Sequence, residues 1–359
     1  MILAYINETF NYSDPYSYKK FKDLFSHWAV TSNIKYFQKL PSELKIAILY
    51  NSFVDTTPTD SRLDEIKYFS DIADLVFVVE NELFHNWAKS QNFKPNVHII
   101  LPGSPGITIR NSLLRPYWLQ YVSDIYRQLP DKLTELNPYQ SKPKMFDALL
   151  GYPRDYRTFI YDSILKNNLQ NHILTSYNTV DTSSKDHFYA KDYFIWEPGT
   201  ELLENENLEY TSNYVSYLGI RCMLSAVMPI QVYNQTAYSI VAETHVKTEV
   251  SFFTEKIAKP LLARRLFVVF ANYRYLYNLR QLGFRTFNGI IDESYDEIYN
   301  NENRWAMAFE QVRQLCNRNQ QEIFAMIKPI VEHNYQLMMD TDWDQQTADY
   351  ITHTVKNVL

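Results

Sequence analysis

Short apolar runs alternate with amphipathic segments along the N-terminal third of the chain. The runs that predict buried strands are residues 2–7 (ILAYIN), 45–52 (KIAILYNS), the end of 71–79 (DIADLVFVV) and the start of 96–106 (NVHIILPGSPG). ENELFHNWAKS, directly after the third run, and residues 113–127 have the spacing of amphipathic helices. Strands that alternate with helices in this way predict βαβ units and a parallel sheet.

A second alternating set follows a polar segment, residues 129–144, whose three prolines are typical of an interdomain linker. The predicted elements are a strand at 145–152, a helix at 155–168, a strand at 171–178, a helix at 213–228 and a long helix at 303–339. We therefore predict an α/β protein with two Rossmann-like domains. They span residues 1–135 and 145–340, and a C-terminal helix follows at 341–359.

Length and composition agree with this plan and exclude some classes of function. A chain of 359 residues is longer than one hydrophobic core usually serves. The net charge of −6 argues against a cation-coated protein that binds nucleic acid without sequence preference. The 29 tyrosines are numerous, and tyrosine suits contacts with sugars and nucleobases.

The N-terminus and the cysteines indicate where the protein works. Cys222 and Cys316 lie in apolar surroundings, which favours buried free thiols in a reducing compartment. No Cys/His cluster has zinc spacing. The N-terminus lacks a basic segment, and no apolar window is long enough to span a membrane. We expect a soluble, cytoplasmic protein without a membrane partner.

Residues 238–285 carry the strongest functional signal. Their pattern predicts a strand, a loop, a helix that opens at Thr254, a second strand and a second helix. From Lys256 to Arg285 there are seven basic residues and no acidic residue, although the chain as a whole is acidic. This local excess indicates either an anionic ligand or a solvated basic face.

Glu243, Glu255 and Lys256 are expected to gather where a strand end meets a helix start. Thr254 is a good N-cap, with Ser251 as the alternative. A helix N-terminus carries about half a positive charge, so Lys256 in the first turn is unfavourable unless an anion such as a diphosphate binds there. The carboxylate of Glu255 suits the dipole and can accept hydrogen bonds from ribose hydroxyls. Alternatively, Glu255 only interacts favourably with the helix dipole from the first turn, and Lys256 is a solvated lysine.

The run IVAETHVKTEVSFFTEKIAKPLL resembles the donor-binding motif of α1,3-fucosyltransferases, in which Phe-Glu-Asn follows an apolar strand and Thr-Glu-Lys opens a helix. With its continuation, VVFANYRYLYNLRQLGFRTFNGIIDESYDEI, it more closely resembles a group of phage and marine bacterial glycosyltransferase-like proteins. Those proteins share Thr-Glu-Lys, a Lys-Pro helix, Leu-Gly-Phe-x-Thr-Phe and Asp-Glu-Ser-Tyr-Asp-Glu. The resemblance covers roughly residues 142–310.

This resemblance implies a GT-B fold, in which two Rossmann-like domains face each other across a cleft and the second binds a nucleotide-diphosphate sugar. Glu243 then lies near the donor sugar and Glu255 near the ribose. Lys256 binds the diphosphate, with Arg157 as a second phosphate ligand. Arg154 is the alternative to Arg157, which is otherwise a surface helix arginine.

Two departures from the fucosyltransferase motif put the sugar in doubt. Thr244 stands where the motif has Asn, and RRLFVVFANY replaces a segment that contains glycines. We therefore do not predict fucose as the donor sugar.

An inverting transfer needs a base to deprotonate the acceptor hydroxyl. Candidates are carboxylates that follow predicted strands of the N-terminal half: Glu8, Glu80 and Asp55. Glu8 and Glu80 have the better positions, and each is alternatively a capping or loop carboxylate. A retaining enzyme needs no such base.

Other possible site residues have structural alternatives. Asp340 and Asp342 form a DxD, but they follow a long predicted helix, so a helix-end cap is favoured over a metal site. The acidic run 290–302 is expected to cap the helix near Arg304 and to pair with basic neighbours. His245 is either a donor-sugar contact or an exposed loop histidine. We predict no metal and no bound cofactor beyond the nucleotide-sugar co-substrate.

The sequence therefore predicts a metal-independent glycosyltransferase. The acceptor is a glycan, a small molecule or a hydroxymethylated base of phage DNA. The acidic balance disfavours DNA, whereas a basic surface at 264–285 would favour it. The alternative from a different class is a non-catalytic binding or structural protein that keeps the same fold.

Overall fold

A computed structural model of the chain divides it into two compact units. The first comprises Met1–Tyr117 and Asp342–Leu359, and the second comprises Trp118–Thr341. The residues described are 1–7, 23, 25–50, 60–79, 84–101, 111–151, 153–177, 197–203, 214–246 and 251–359.

The first unit is built on a parallel sheet of six strands. Its strands are β1 (Ile2–Ile6), β2 (Ala29–Thr31), β3 (Leu44–Tyr50), β4 (Leu75–Val79), β5 (Val97–Leu101) and β6 (Ser112–Leu114). Its helices before Tyr117 include α1 (Ile34–Lys39), α2 (Asp60–Ile72) and α3 (Phe84–Lys89). The strand order is β2-β1-β3-β4-β5-β6. Every residue of β4 and β5 is buried, as expected for parallel strands covered on both faces.

The second unit contains a four-stranded parallel sheet and a small antiparallel sheet. Its elements are α4 (Tyr117–Gln128), α5 (Pro130–Thr134), β7 (Lys144–Gly151), α6 (Asp155–Lys166), β8 (Ile173–Tyr177), β9 (Thr200–Leu202), β10 (Tyr214–Tyr217), β11 (Ile220–Met223), α7 (Ile230–Tyr233), β12 (Thr236–Ala242), α8 (Glu255–Leu262), β13 (Phe267–Phe270), α9 (Tyr275–Gln281), α10 (Asn301–Leu315) and α11 (Gln320–Asp340). The parallel sheet has the order β13-β12-β7-β8, and the antiparallel one β11-β10-β9. The α/β class with two parallel sheets is thus confirmed.

Both parallel sheets contain a point where the strand order reverses. In the second unit, β7 connects through α6 to β8 on one side, whereas β12 connects through α8 to β13 on the other. In the first unit, β1 and β3 are neighbours in the same way, because β2 lies on the outer side of β1. Loops diverge at such a switch point and leave a crevice beyond the carboxyl ends of the strands.

The last helix, α12 (Trp343–Lys356), belongs to the first unit. Ala348, Ile351 and Val355 are part of the core beneath β1, β3 and β4. Asp344 forms a buried ion pair with Arg115, with 2.8 Å between Oδ1 and Nε. The chain therefore returns to its N-terminal sheet after completing the second unit.

The predicted linker, residues 129–144, lies within the second unit and contains α5 and the first residue of β7. The division between the units falls earlier, next to Tyr117, because α4 packs on the second unit. The hydroxyl of Tyr121 accepts a hydrogen bond from the N–H of Met223 at 3.0 Å. Arg127 donates from Nη2 to the carbonyl of Met338 at 2.8 Å.

Three element predictions were wrong. The predicted helix at 213–228 is the hairpin of β10 and β11, because Leu218 and Gly219 both have positive φ and form a two-residue turn. The long helix predicted at 303–339 is two helices, α10 and α11, separated by a turn in which Asn319 caps α11. The helix predicted from residue 113 begins at Tyr117, because residues 112–114 form edge strand β6.

In the described part of the chain, no helix combines the length and the apolar character that crossing a bilayer requires. Cys222 and Cys316 are buried free thiols, as predicted, and burial raises the pKa of each to about 12.

Candidate functional site

Glu243 lies at the carboxyl end of β12 and is fully buried. Its Oε1 accepts hydrogen bonds from the N–H of Thr254 at 3.2 Å and the hydroxyl of Tyr275 at 2.6 Å. Its Oε2 accepts from the hydroxyl of Thr254 at 2.6 Å and the N–H of Thr244 at 3.2 Å. Burial raises the pKa of the Glu243 carboxyl, while Lys256 and the bonded hydroxyls favour its charged form. This carboxylate fastens the end of β12 to the starts of α8 and α9.

Thr254 is the N-cap of α8, as the sequence predicted. Its hydroxyl accepts a hydrogen bond from the N–H of Lys256 at 3.2 Å while donating to Glu243. Phe252 and Phe253 precede it and are buried, so the chain enters the helix from the core. The N-terminus of α8 is therefore fixed beside the end of β12.

The ammonium of Lys256 bridges the helix start and the loop after β12. Its Nζ lies 2.6 Å from Oε1 of Glu255 and 3.2 Å from the hydroxyl of Thr244. Burial opposes the charge of Glu255, but Lys256 and Lys259 outweigh this effect and lower the pKa of its carboxyl. The side chain of Lys256 is 25% exposed, so part of it lies at the surface.

Lys259 lies one helical turn further along α8. Its Nζ donates to the carbonyl of Ser225 at 2.7 Å, and burial lowers the pKa of this amine to about 8. It supplies a second positive charge close to Glu255.

Residues at the start of α6 form hydrogen bonds with the loop that follows β12. Arg154, the N-cap of α6, donates from Nη1 to the carbonyl of Thr244 at 2.6 Å. The hydroxyl of Tyr156 donates to the carbonyl of Glu243. Hydrogen bonds therefore join the loops that follow β7 and β12, on the two sides of the switch point.

Arg157 is buried in the first turn of α6. Its Cζ lies 5.5 Å from the ring centroid of Tyr156. Gly151, the last residue of β7, has a φ of 62°, and a Cβ at that position would lie 3.7 Å from Nη1 of Arg157. Arg157 thus lies at the carboxyl end of β7, next to the loop that contacts residues 243 and 244.

Among the described residues, cations outnumber carboxylates where β7 and β12 end. The cations are Lys256, Lys259, Arg154 and Arg157, and the carboxylates are Glu243, Glu255 and Asp155. Together with the N-terminus of α8, this balance suits an anionic ligand with more than one negative charge.

Four of the five arginines between residues 264 and 285 pair with carboxylates inside the second unit. The pairs are Arg264 with Glu332 at 2.9 Å, Arg265 with Asp147 at 2.8 Å, Arg274 with Glu297 at 3.0 Å and Arg280 with Glu293 at 3.1 Å. Arg265 is buried and also donates to the carbonyls of Tyr233, Thr236 and Tyr238. Most of the positive charge of this stretch is therefore neutralised by residues distant in sequence.

The structure brings together the predicted site residues that lie within its described part. Glu243, Thr254, Glu255 and Lys256 form one hydrogen-bonded cluster, and Arg157 lies at the neighbouring strand. Glu8, Glu80 and Asp55 lie outside the described residues. His245 is partly exposed in the loop after β12, and its ring centroid is 5.9 Å from that of Phe252.

The acidic segments mostly serve helix ends. Asp342 caps α12, accepting from the N–H of Gln345 at 2.9 Å. In the run 290–302, Asn300 caps α10, whereas Asp296 accepts from the N–H groups of Leu276 and Tyr277 and so caps α9. Within the described ranges, no group of three or more His, Cys, Asp or Glu side chains is arranged to hold a metal ion.

Sequence reasoning missed the residues that support the site from β13 and α9. Tyr275 donates to Glu243, and the side-chain amides of Asn272 and Asn278 both donate to the hydroxyl of Ser251, at 3.2 and 2.8 Å. Little in the sequence indicated these roles, because Asn and Tyr residues are also ordinary in the loop and first turns of a helix.

Comparison of the chain with protein-family models, curated proteins and solved structures found no match. Its function is therefore inferred from the residues at the carboxyl ends of β7 and β12.

Proposed function

We propose that this protein is a glycosyltransferase of the GT-B class that takes its sugar from a nucleotide-diphosphate donor bound by the second unit. One observation carries the proposal: a solvent-accessible lysine, Lys256, lies in the first turn of α8 at the switch point of a parallel sheet. Open α/β sheets bind ligands at such points, and helix N-termini favour phosphates.

The proposed roles follow from the contacts. Lys256 turns from Glu255 towards the diphosphate, and the freed carboxylate of Glu255 accepts hydrogen bonds from the ribose. Arg157 or Arg154 supplies the second cation from the adjoining strand. Because Glu243 already accepts four hydrogen bonds from the protein, it positions the loop rather than binding the sugar directly.

Chemically, these cations would stabilise the negative charge that develops on the leaving diphosphate. The charge is neutralised by side chains, so the reaction is proposed to need no metal. Glu8 and Glu80 remain the candidates for the base that an inverting transfer needs.

The charge pairing also bears on the acceptor. Four of the seven cations between residues 256 and 285, namely Arg264, Arg265, Arg274 and Arg280, are each engaged by a carboxylate, which reduces the positive charge that this stretch offers to a polyanion. We therefore favour a glycan or a small molecule over DNA as the acceptor.

A thermal-shift screen with UDP-, GDP-, ADP- and dTDP-sugars, in buffer containing EDTA, tests the proposal. A donor that binds the native state raises the melting temperature by mass action. The donor identified in this way should then be hydrolysed slowly when no acceptor is present. Binding without any turnover would instead identify a non-catalytic binding protein, and no shift with any donor would contradict the proposal.

A further inference from the structure

Three tyrosines cluster on the surface beyond the carboxyl end of β13. Tyr299 is 74% exposed and Tyr277 is 41% exposed, while Tyr273 is half-buried. The rings of Tyr273 and Tyr299 meet edge to face, with centroids 5.6 Å apart. Large aromatic side chains gathered on a surface commonly mark a binding site rather than a packing requirement.

Arg274 lies near the rings of Tyr273 and Tyr277 and has an unusual backbone conformation. Its φ of 59° and ψ of 29° place it in the left-handed region, which favours glycine. Its guanidinium carbon lies 5.2 Å from the ring centroid of Tyr273 and 5.5 Å from that of Tyr277. Strained residues of this kind concentrate at functional sites, where the surrounding structure holds them in place.

The charges on this surface cancel. Nε of Arg274 donates to Oε2 of Glu297 at 3.0 Å, and both side chains are about half exposed. A phosphate or another polyanion would have to compete with Glu297, whereas a neutral ligand would not. A guanidinium and a carboxylate beside aromatic faces can hydrogen-bond to hydroxyl groups on a ring that stacks against the tyrosines.

The tyrosine cluster is tied to the switch-point site by hydrogen bonds. Tyr275, next to Arg274, donates to Glu243, and Asn272 donates to the hydroxyl of Ser251 just before α8. Strands β12 and β13 are parallel neighbours, so both surfaces lie at the same edge of the sheet.

We propose that Tyr273, Tyr277 and Tyr299, together with Arg274, form a platform that binds a neutral pyranose ring of a carbohydrate chain. The identification of this carbohydrate as the acceptor rests on the proposed glycosyltransferase function. The platform holds the chain on the second unit, beside the donor site, by contacts that carry no net charge.

The first experiment applies labelled protein to an array of neutral oligosaccharides built from hexoses, N-acetylhexosamines and deoxyhexoses. Calorimetry on the best-bound oligosaccharide then compares variants. Tyr299→Ala and Tyr277→Ala should each weaken binding about tenfold, since each removes a stacking ring. Tyr36→Ala, which removes a tyrosine that is 62% exposed in the first unit, should leave the affinity unchanged.

Arg274→Gly separates binding from folding. Glycine accepts the left-handed backbone without strain, so this variant should melt at or above the wild-type temperature while its affinity for the oligosaccharide falls. Equal affinity in wild type, Tyr277→Ala and Tyr299→Ala, or no bound oligosaccharide on the array, would overturn the platform. So would loss of a dimer on size-exclusion chromatography in the tyrosine variants, since the cluster would then be a protein interface.

Donor binding, measured on the same variants, distinguishes the two proposals. Donor binding that persists while the tyrosine substitutions have no effect refutes only the platform. Platform-dependent carbohydrate binding with no nucleotide-sugar binding refutes the glycosyltransferase and leaves a carbohydrate-binding surface.

Discussion

Glu243 and Lys256 have different places in the same cluster. The carboxylate of Glu243 is buried and accepts hydrogen bonds from three residues, whereas the side chain of Lys256 is partly exposed. In the proposed function the buried carboxylate fixes the geometry of the loop, and the partly exposed lysine exchanges Glu255 for an external anion. The two residues should therefore respond differently to substitution.

Replacing Glu243 with Gln should destabilise the second unit. Whichever carboxylate oxygen becomes an amide nitrogen, one backbone N–H, of Thr254 or of Thr244, loses its acceptor. A buried donor left unpaired costs about 1–3 kcal/mol. Urea unfolding measures the loss, and Glu302→Gln, at an exposed position in the first turn of α10, is the matched control. Equal stability of both variants would show that the hydrogen bonds to Glu243 are not needed for folding.

His98 should make the stability of the first unit depend on pH. Burial lowers the pKa of this imidazole, whose Nδ1 lies 2.9 Å from the hydroxyl of Tyr350 on α12. As the pH falls through about 6.5, the unfolded chain takes up a proton that the native ring resists, so the free energy of unfolding decreases. Unfolding curves recorded between about pH 7.5 and 5.5 should show a smaller decrease for His98→Gln than for wild type. If stability fell equally with pH in wild type and His98→Gln, His98 would not contribute to the pH dependence.

At the scale of elements, buried strands and helix caps were readable from the sequence. β4 and β5 appear as unbroken apolar runs because parallel strands are buried on both faces, and Thr254 precedes α8 as an N-cap should. The hairpin of β10 and β11 was missed because its turn places an apolar residue, Leu218, at positive φ, where Asn or Gly gives the usual signal. The hydrogen-bond partners of Glu243 and the carboxylates that pair with the arginines could not be predicted, because they lie far away in sequence.

Helix α12 should stabilise the first unit although it follows the second in sequence. Ile351 is fully buried in the core shared with β1, β3 and β4. Ile351→Ala removes most of that side chain and should cost about 2–5 kcal/mol in chemical denaturation. Val358→Ala, just beyond the helix at a position that is 51% exposed, is the control and should change stability by less than about 0.5 kcal/mol. A similarly small change in the free energy of unfolding of both variants would mean that α12 contributes little to the stability of the first unit.

At the scale of the whole molecule, charge separates the possible acceptors. The chain carries a net charge of −6, and four arginines of the basic stretch are paired with carboxylates. We expect no retardation of duplex DNA in a gel-shift assay at about 150 mM salt, because the four paired arginines would have to leave their carboxylates before they displaced counterions. Strong binding that weakens steeply with salt would instead restore a DNA acceptor.

Binding of the donor to wild type and to Lys256→Met is the most direct test of the central claim, that the switch point of the second unit binds a nucleotide diphosphate. Methionine keeps the aliphatic stem and removes the charge. Calorimetry with the sugar nucleotide selected by the thermal-shift screen should show at least about a tenfold loss of affinity, because a charge-assisted hydrogen bond to phosphate is lost. Lys166→Met, at the exposed far end of α6, should bind as wild type does. Undiminished affinity of a well-folded Lys256→Met protein would contradict the account.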